Sequence, residues 1–432
     1  MKELNKIPSG KINRAAKFIN TGVKIGGNYL KHYGKKVVLG GGSTEELHSN
    51  NSETIYNALS ELKGSALKVA QMLSMDKTIL PAPYQEKFIQ SQYSTPPISF
   101  PLVKKTIVNE LKADPDALFD SFSTSAVRAA SIGQVHKAEY NGTPLAVKVQ
   151  YPGVAQSISA DLKMVKPIAL KMFKLNEADL NEYMVEVEEK LLEETDYKKE
   201  LENAVYLTEK LSSLPGIRFP KYFKKLSAEK VLSMEWLEGV HLDEFLKTNP
   251  SQESRDKYGQ LLWDFVNYQI HELKFVHADP HPGNFLFQSD GNLGVIDFGC
   301  VKQIPEDFYT PYFKLLQSEF TENDEELMEL FTQLEFVYKE DSPQELDVFF
   351  SSFKRLLALL GRPIFQKEFD FGNDSYFSEL YELGEELSKN PVFRNSTKSR
   401  GSRHGLYVNR TYFGLYNILN QLGARVKTKV AY

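Results

Sequence analysis

The 432-residue chain has little cysteine and no long apolar run, and each absence excludes a class of protein. Its one cysteine, Cys300, cannot form an internal disulfide, so a reducing compartment such as the cytoplasm fits best. Uninterrupted apolar runs stay near the length of Leu356–Leu360, far below the roughly 20 residues that a membrane-spanning helix needs. The N-terminus, MKELNKIPSG, lacks the apolar core of a secretory signal and is poor in the arginine of a mitochondrial transit peptide.

The charge is unevenly distributed along the chain. A net charge of −5 argues against a nucleic-acid binder, which would be strongly basic. Acidic residues concentrate in 177–202, whereas Glu3 is the only acid before residue 40 and residues 11–36 combine basic side chains with an apolar stripe. This basic amphipathic segment, 1–38, is either a solvated helix or a contact with an anionic membrane surface, which would make the protein peripheral on the inner face of a membrane.

The apolar periodicity predicts an α+β fold with a cleft between two lobes. Two pairs of short apolar runs flank turn sequences, Asn141-Gly142 and Ser289-Asp290-Gly291-Asn292, and therefore predict β-hairpins. The other predicted elements are helices near 54–74, 102–112, 155–211 and 253–274, a strand at Val231–Met234, and mainly helices after residue 305.

One segment carries the residues of a phosphoryl-transfer site. It reads HADPHPGNF from His277 to Phe285, and a predicted hairpin leads from it to Asp297-Phe298-Gly299. A kinase catalytic loop has H-x-D, an asparagine five residues after the aspartate, a hairpin and then D-F-G. Phosphoryl transfer needs a carboxylate beside the attacking hydroxyl and hard oxygen ligands for Mg²⁺. Asp279 is therefore the predicted base or orienting group, and Asn284 and Asp297 are the predicted Mg²⁺ ligands; a polar loop followed by an Asp-Gly turn is the alternative.

Two upstream segments match the nucleotide-binding half of a kinase. Ala146-Val147-Lys148 has the form of the strand whose lysine contacts nucleotide phosphates and pairs with a helix glutamate, although surface lysines also close such strands. Where kinases carry a glycine-rich loop, this chain has Ala129, Ala130, Ser131, Ile132 and Gly133. Their backbone amides can still cradle phosphates, and because alanine is stiffer than glycine, the loop should admit fewer geometries.

The alanine-rich loop ending in SIGQVH, the AVK lysine, HADPHPGN and DFG together resemble the UbiB (AarF-domain) family of atypical kinases and ATPases, over roughly 50–300. The resemblance implies an atypical protein-kinase-like fold with a small β-containing N-lobe, a helical C-lobe and a family-specific N-terminal helical extension. The predicted segments are the basic helix at 1–38, the extension at 44–115, the N-lobe with inserted helices at 116–238 and the C-lobe at 239–432.

The family's K-x-G-Q motif matches Lys68-Val69-Ala70-Gln71, with alanine in place of glycine. By pattern alone, Lys68 and Gln71 lie opposite the apolar stripe of their helix and face solvent. The resemblance implies instead that this helix covers the nucleotide cleft and blocks the groove for a protein substrate.

The family's E-x-D motif matches Glu194-Thr195-Asp196. The two carboxylates can converge on one cation, such as Lys68, only if the helix breaks between them, which predicts a boundary near Thr195 with Thr195 or Asp196 as N-cap. Glu200 then lies one turn into the next helix and is the predicted partner of Lys148. The alternative is that these acids simply face solvent.

The segment Met234–Gly239 resembles the hinge that receives adenine through backbone groups near Glu235 and Leu237, although any strand-to-helix linker could have this sequence. The chain also departs from typical protein kinases. Ala278 replaces the arginine of H-R-D, and no A-P-E motif follows Gly299, so no peptide-binding platform is predicted.

His277 and His281 are spaced like a zinc-binding pair, but Pro280 and Pro282 exclude the helix that such a pair needs. Zinc is therefore not predicted, and the cofactors that the kinase motifs predict are ATP and Mg²⁺.

Three functions fit these residues. The first is an ATP- and Mg²⁺-dependent atypical kinase or ATPase, which the resemblance links to isoprenoid-quinone (ubiquinone-type) biosynthesis or membrane-lipid homeostasis. The second is a small-molecule phosphotransferase, in which Lys68, Glu194 and Asp196 would have no role. The third is a nucleotide-gated scaffold of a membrane-associated biosynthetic complex, which need not keep all the catalytic residues. The expected partners are ATP, an anionic membrane, a lipid or quinone precursor and a biosynthetic enzyme complex, but no nucleic acid; the phosphoryl acceptor and the oligomeric state stay open.

Overall fold

The computed structural model describes residues 51–55, 97–129, 132–173, 177–317, 323–396, 398 and 400–429. The predictions for the basic segment 1–38, for Lys68 and Gln71, and for Ala130 and Ser131 lie outside these residues. Residues 51–55 are helical. Among the described residues, no helix combines the length and the apolar composition of a membrane span.

The two longest strands lie between residues 133 and 150, and helices predominate after residue 305. The strands are β1 (Ser121–Phe122), β2 (Arg128–Ala129), β3 (Gly133–Tyr140), β4 (Thr143–Gln150), β5 (Ile217–Arg218), β6 (Val231–Glu235), β7 (Phe275–His277), β8 (Phe285–Phe287), β9 (Leu293–Val295), β10 (Val301–Gln303), β11 (Phe369–Asp370) and β12 (Arg425–Val426). The helices are α1 (Phe100–Leu111), α2 (Pro115–Leu118), α3 (Val154–Phe173), α4 (Glu177–Glu194), α5 (Tyr197–Leu211), α6 (Leu242–Lys247), α7 (Gln252–Asn267), α8 (Glu306–Lys314), α9 (Asp324–Gln333), α10 (Pro343–Gly361), α11 (Asp374–Lys389), α12 (Pro391–Asn395) and α13 (Arg403–Leu422).

The described residues divide into two compact units: those up to residue 202 together with 221–236, and 203–220 together with those from 237 onward. The sequence-based boundaries placed 203–220 in the N-lobe. The structure groups this stretch with the second unit, in which β5 pairs in parallel with β9. The division also falls between Trp236 and Leu237, inside the predicted hinge.

The first unit contains an antiparallel sheet in the order β1-β3-β4-β6, with β2 also paired to β3. The β3–β4 hairpin turns at Asn141 and Gly142, whose φ values of 49° and 71° match the left-handed turn that Asn-Gly predicts. Along β4, Leu145, Val147 and Val149 are buried in the core. Because side chains alternate along a strand, Lys148 lies on the opposite face from this core.

The second unit is mainly helical, as predicted after residue 305, but it also contains short strand pairs. The β8–β9 hairpin confirms the second predicted hairpin, and β10 pairs with β7. The pair β11–β12 was not predicted, because two-residue strands leave no periodic pattern. The helix predicted over 253–274 is α7 followed by a π-helical turn, Tyr268–Glu272.

Candidate active site

The first unit pairs the predicted lysine with the predicted glutamate. Nζ of Lys148 lies 2.8 and 3.0 Å from the two carboxylate oxygens of Glu200. The Glu200 side chain is 2% exposed and that of Lys148 is 18% exposed, so the carboxylate is sequestered while the ammonium group keeps some access. This contact confirms the predicted pairing, which is the arrangement that an active kinase requires.

The break between α4 and α5 brings Glu200 to Lys148. Thr195 O accepts a hydrogen bond from Nε2 of buried Gln150 at 2.9 Å, which fastens the break to the end of β4. Oδ1 of Asp196 accepts from the Lys199 amide at 3.1 Å and therefore acts as the N-cap of α5, as predicted. The proposed convergence of Glu194 and Asp196 on Lys68 stays a prediction.

The end of the alanine-rich loop is closely packed. Ala129 pairs with Gln134 between β2 and β3. Ile132 is buried, and its carbonyl accepts from the Tyr151 amide at 2.9 Å. A Cβ on Gly133 would lie 2.7 Å from Oη of Tyr197, so this position admits only glycine without rearrangement. Ile132 belongs to the core, and its predicted contact with nucleotide would therefore use the backbone rather than the side chain.

Two buried polar residues after the loop have a structural role that sequence reasoning missed. Oε1 of Gln134 accepts from the Ile98 amide at 2.8 Å, and its Nε2 lies 2.9 Å from Nε2 of His136. Nδ1 of His136 lies 2.7 Å from Ser123 O. Because a carbonyl can only accept, Nδ1 carries the hydrogen and Nε2 accepts from Gln134. The sequence showed Gln134 and His136 within SIGQVH, but it did not indicate that they bond to Ile98 and Ser123.

The predicted hinge residue Glu235 ends β6. Its amide donates to Lys221 O at 2.8 Å, and the Trp236 amide donates to Pro144 O at 2.9 Å. Because the Glu235 amide is already used, an adenine contact at this residue would have to use its carbonyl oxygen. The contact predicted near Leu237 stays a prediction.

In the second unit, the predicted catalytic loop directly follows β7. Nε2 of His277 lies 2.8 Å from Asp297 O and donates to it, so the histidine links the catalytic loop to the DFG segment. The carbonyl of His277 accepts from Oγ1 of Thr411 at 3.0 Å. Thr411 is a positioning residue that no sequence signal indicated, because it lies 134 residues away.

The side chains predicted to hold Mg²⁺ are oriented by local hydrogen bonds. Nδ2 of Asn284 donates to Asp279 O at 2.9 Å, which leaves Oδ1 as the oxygen that this side chain offers a cation. Oδ1 of Asp297 accepts from the Gly299 amide at 2.8 Å. Over the described ranges, no cluster of three or more His, Cys, Asp or Glu side chains could hold a metal ion. An amide oxygen and a carboxylate fit Mg²⁺ carried on nucleotide phosphates, which completes its shell with phosphate and water.

The chain after DFG returns at once to the catalytic loop. The Ala278 amide donates to Cys300 O at 2.9 Å, and β10 then pairs with β7 before α8 begins at Glu306. Phe298 is fully buried, with its ring 6.1 Å from that of His277. Ala278 is also fully buried, so the arginine of typical kinases would have no space here.

A half-buried histidine precedes the catalytic loop on the π-helical turn. Nδ1 of His271 lies 2.8 Å from the hydroxyl of Tyr309, and Nε2 lies 3.1 Å from that of Tyr412. The Tyr412 hydroxyl donates to Asn267, so it accepts from Nε2–H of the histidine. Burial, together with the positive charge of Lys274, lowers the pKa of His271 to about 3.

A comparison with protein-family models identifies the family. The model described as the ABC1 atypical kinase-like domain matches residues 90–331, more than half of the chain. The chain belongs to this family. The match to the family model, together with the relatives and the solved structure below, confirms the resemblance to UbiB (AarF-domain) proteins. It also confirms the atypical-kinase assignment and the predicted α+β, kinase-like fold.

Individual relatives agree with the family. "Probable serine/threonine-protein kinase abkA" of Dictyostelium discoideum is 27% identical over 366 residues, which cover 79% of the ABC1 chain and 65% of that protein. "Atypical kinase COQ8B, mitochondrial" of Danio rerio is 27% identical over 434 residues, covering 97% and 67%. The chain thus spans about two thirds of the length of these relatives. A solved structure, the complex of Rv3197 with erythromycin from Mycobacterium tuberculosis, has a TM-score of 0.60 and 28% identity, covering 89% of this chain and 95% of that one.

Proposed function

We propose that this chain is an ATP- and Mg²⁺-dependent atypical kinase or ATPase. The observation that carries the proposal is the pairing of Lys148 with the buried carboxylate of Glu200, since a kinase lysine must be held this way to bind phosphates. Bound Mg²⁺ would neutralise charge on the phosphates, with Asn284 and Asp297 as its protein ligands. Asp279 would orient the attacking hydroxyl or water and take its proton.

The remaining predicted residues have supporting roles in this proposal. The backbone of the loop Ala129–Gly133 would cradle phosphates, and backbone groups near Glu235 and Leu237 would receive adenine. The K-x-G-Q helix, with Lys68 and Gln71, would gate the site together with Glu194 and Asp196. These roles come from the family resemblance, residue by residue.

The finer proposal is that the activity supports isoprenoid-quinone biosynthesis or membrane-lipid homeostasis, within a biosynthetic complex that contacts a lipid or quinone precursor. We infer that residues 1–38 attach the protein to the inner face of an anionic membrane. Replacing Lys11, Arg14, Lys17 and Lys24 by glutamine should then reduce flotation with phosphatidylglycerol vesicles, because each cation near the surface contributes about 1 kcal/mol. Undiminished flotation of this variant would contradict membrane attachment through the segment.

The central experiment measures ATP turnover of wild type and Asp297→Asn, with and without lipid vesicles. Asp297→Asn should lower turnover by roughly a hundredfold or more, because it removes a charge that stabilises the transition state. Asp243→Asn, which changes an exposed aspartate of the same unit, is the matched control and should keep wild-type turnover. Equal background rates in wild type and Asp297→Asn would refute the proposal. Turnover that depends on a soluble alcohol or amine would favour a small-molecule phosphotransferase.

A further inference from the structure

A buried tyrosine touches both the end of the alanine-rich loop and the nucleotide-binding lysine. Tyr197, the first residue of α5, is 0% exposed. Nζ of Lys148 lies over its ring, 4.9 Å from the centroid. Its hydroxyl lies 2.7 Å from the position that a Cβ of Gly133 would take. One rigid side chain therefore spans the space between Gly133 and the Lys148 ammonium group.

The backbone around Tyr197 is fixed on both sides. Its amide donates to Glu229 O at 3.3 Å, next to the start of β6. Two residues earlier, Thr195 O is held by Gln150 at 2.9 Å. Glu200 follows one turn later on the same helix. Any shift of the helix backbone at Tyr197 would therefore also move the carboxylate that pairs with Lys148.

We propose that Tyr197 is a positioning residue that couples the alanine-rich loop to the Lys148–Glu200 pair. The inference rests on the proposed function, because its consequence is a change in nucleotide affinity. The face of the ring attracts the ammonium group and holds it beside Glu200. The hydroxyl group of Tyr197 packs against Gly133 and thereby fixes its distance from Lys148. The loop backbone and the Lys148 ammonium group can then contact the phosphates at the same time.

The test compares two substitutions of Tyr197 with a matched core substitution in the full-length chain. Tyr197→Leu removes the ring, and Tyr197→Phe keeps the ring without the hydroxyl. Phe119→Leu is the control, because Phe119 is a buried aromatic of the same unit that packs against Phe122 instead of Lys148. The readouts are the Kd of mant-ATP with Mg²⁺, from a fluorescence titration, and the melting temperature.

We expect Tyr197→Leu to raise the Kd by about 5- to 30-fold, the equivalent of losing a cation–π contact at a desolvated site. Tyr197→Phe keeps the ring but not the hydroxyl, so its Kd should lie between those of wild type and Tyr197→Leu. Phe119→Leu should lower the melting temperature and keep the wild-type Kd. Equal Kd values for Tyr197→Leu and Phe119→Leu would overturn the role of Tyr197. A wild type that binds no mant-ATP would instead refute the proposed function itself.

A second measurement covers the case in which Tyr197→Leu does not fold. Gly133→Ala should weaken mant-ATP binding, because the new methyl group meets the Tyr197 hydroxyl at 2.7 Å and Val149 O at 2.8 Å. The double variant Gly133→Ala/Tyr197→Phe should recover part of the affinity, since it removes the first contact only. Strictly additive effects on the Kd would show that the hydroxyl does not support the loop and would overturn the coupling.

Discussion

Gly414 lies in the middle of α13, where the structure leaves no room for a side chain. A Cβ at this position would lie 2.2 Å from Cγ of Pro280, 2.7 Å from its Cβ and 3.1 Å from its carbonyl oxygen. Carbon atoms in contact are normally about 3.5–4.0 Å apart. Pro280 follows the predicted catalytic Asp279 directly, and its ring cannot rotate away because the pyrrolidine fixes φ. The substitution Gly414→Ala should therefore displace the catalytic loop.

Two opposing effects decide the size of the change in the free energy of unfolding. Replacing glycine by alanine inside a helix stabilises by roughly 0.5–1 kcal/mol when the methyl group has space. Overpacking a closely packed site costs about 1–3 kcal/mol. At Gly414 the overlap exceeds 1 Å against a rigid ring, so we expect a net loss of about 1–2 kcal/mol and a fall in ATP turnover.

The assay is urea unfolding combined with ATP turnover, and the chain offers a matched control. A Cβ on Gly384, in the middle of α11, would meet nothing within 4 Å. Gly384→Ala should therefore gain stability at unchanged turnover. A Gly414→Ala protein as stable and as active as Gly384→Ala would refute the packing argument.

Three other substitutions test the charges and the buried positions. Glu200→Gln should reduce stability by about 1–3 kcal/mol and raise the Kd for mant-ATP, because a partly buried Lys148 ammonium loses its counter-charge; an unaltered urea midpoint and Kd would contradict this. The pKa of His271 is about 3 in the folded protein and near 6.5 in the unfolded chain. Its contribution to stability is therefore complete above pH 6.5 and is lost as the pH drops below that value, with a loss of about 2 kcal/mol at pH 5. His271→Gln should flatten the decline of stability between pH 7 and pH 5, and identical urea midpoints of both proteins across this range would show that another group is responsible. Ala278→Arg, which restores the H-R-D letters, should yield little folded protein because the position is fully buried; soluble expression at the wild-type level would disprove this.

Features with a local cause, and features that belong to a known motif, could be predicted from the sequence. The Asn141-Gly142 turn followed from the conformational freedom of its residues. The break at Thr195 followed from the family resemblance, because both carboxylates of the E-x-D motif can reach one cation only if the helix ends there. The break placed Glu200 one turn further on, and the kinase pattern, in which a strand lysine pairs with a helix glutamate, gave its pairing with Lys148. Only the turn could be predicted from neighbouring residues, since Lys148 and Glu200 are 52 residues apart.

Contacts between distant residues that belong to no known motif could not be predicted. Thr411 donates to His277 and Gly414 packs on Pro280, yet nothing near either residue marks it as a neighbour of the catalytic loop. The π-helical turn at Tyr268–Glu272 also escaped prediction, because a single wider turn hardly alters helical periodicity. Tyr197 had one signal, an aromatic side chain directly after the E-x-D motif, but its contacts with Gly133 and Lys148 depend on the packed sheet.

The return of the chain from Gly299 to β10 bears on inhibitor selectivity. In protein kinases the packing of the DFG phenylalanine sets the active or inactive state, so a compound that binds in place of this ring needs the segment around it to move. In this protein the Cys300 carbonyl accepts a hydrogen bond from the Ala278 amide, the next three residues are paired with β7, and the Ile304 amide donates to Lys274 O at 2.7 Å. Expelling the Phe298 ring would break these bonds together. Compounds that require displacement of the Phe298 ring should therefore bind this protein weakly. Compounds that use only the contacts proposed for the nucleotide should keep their affinity.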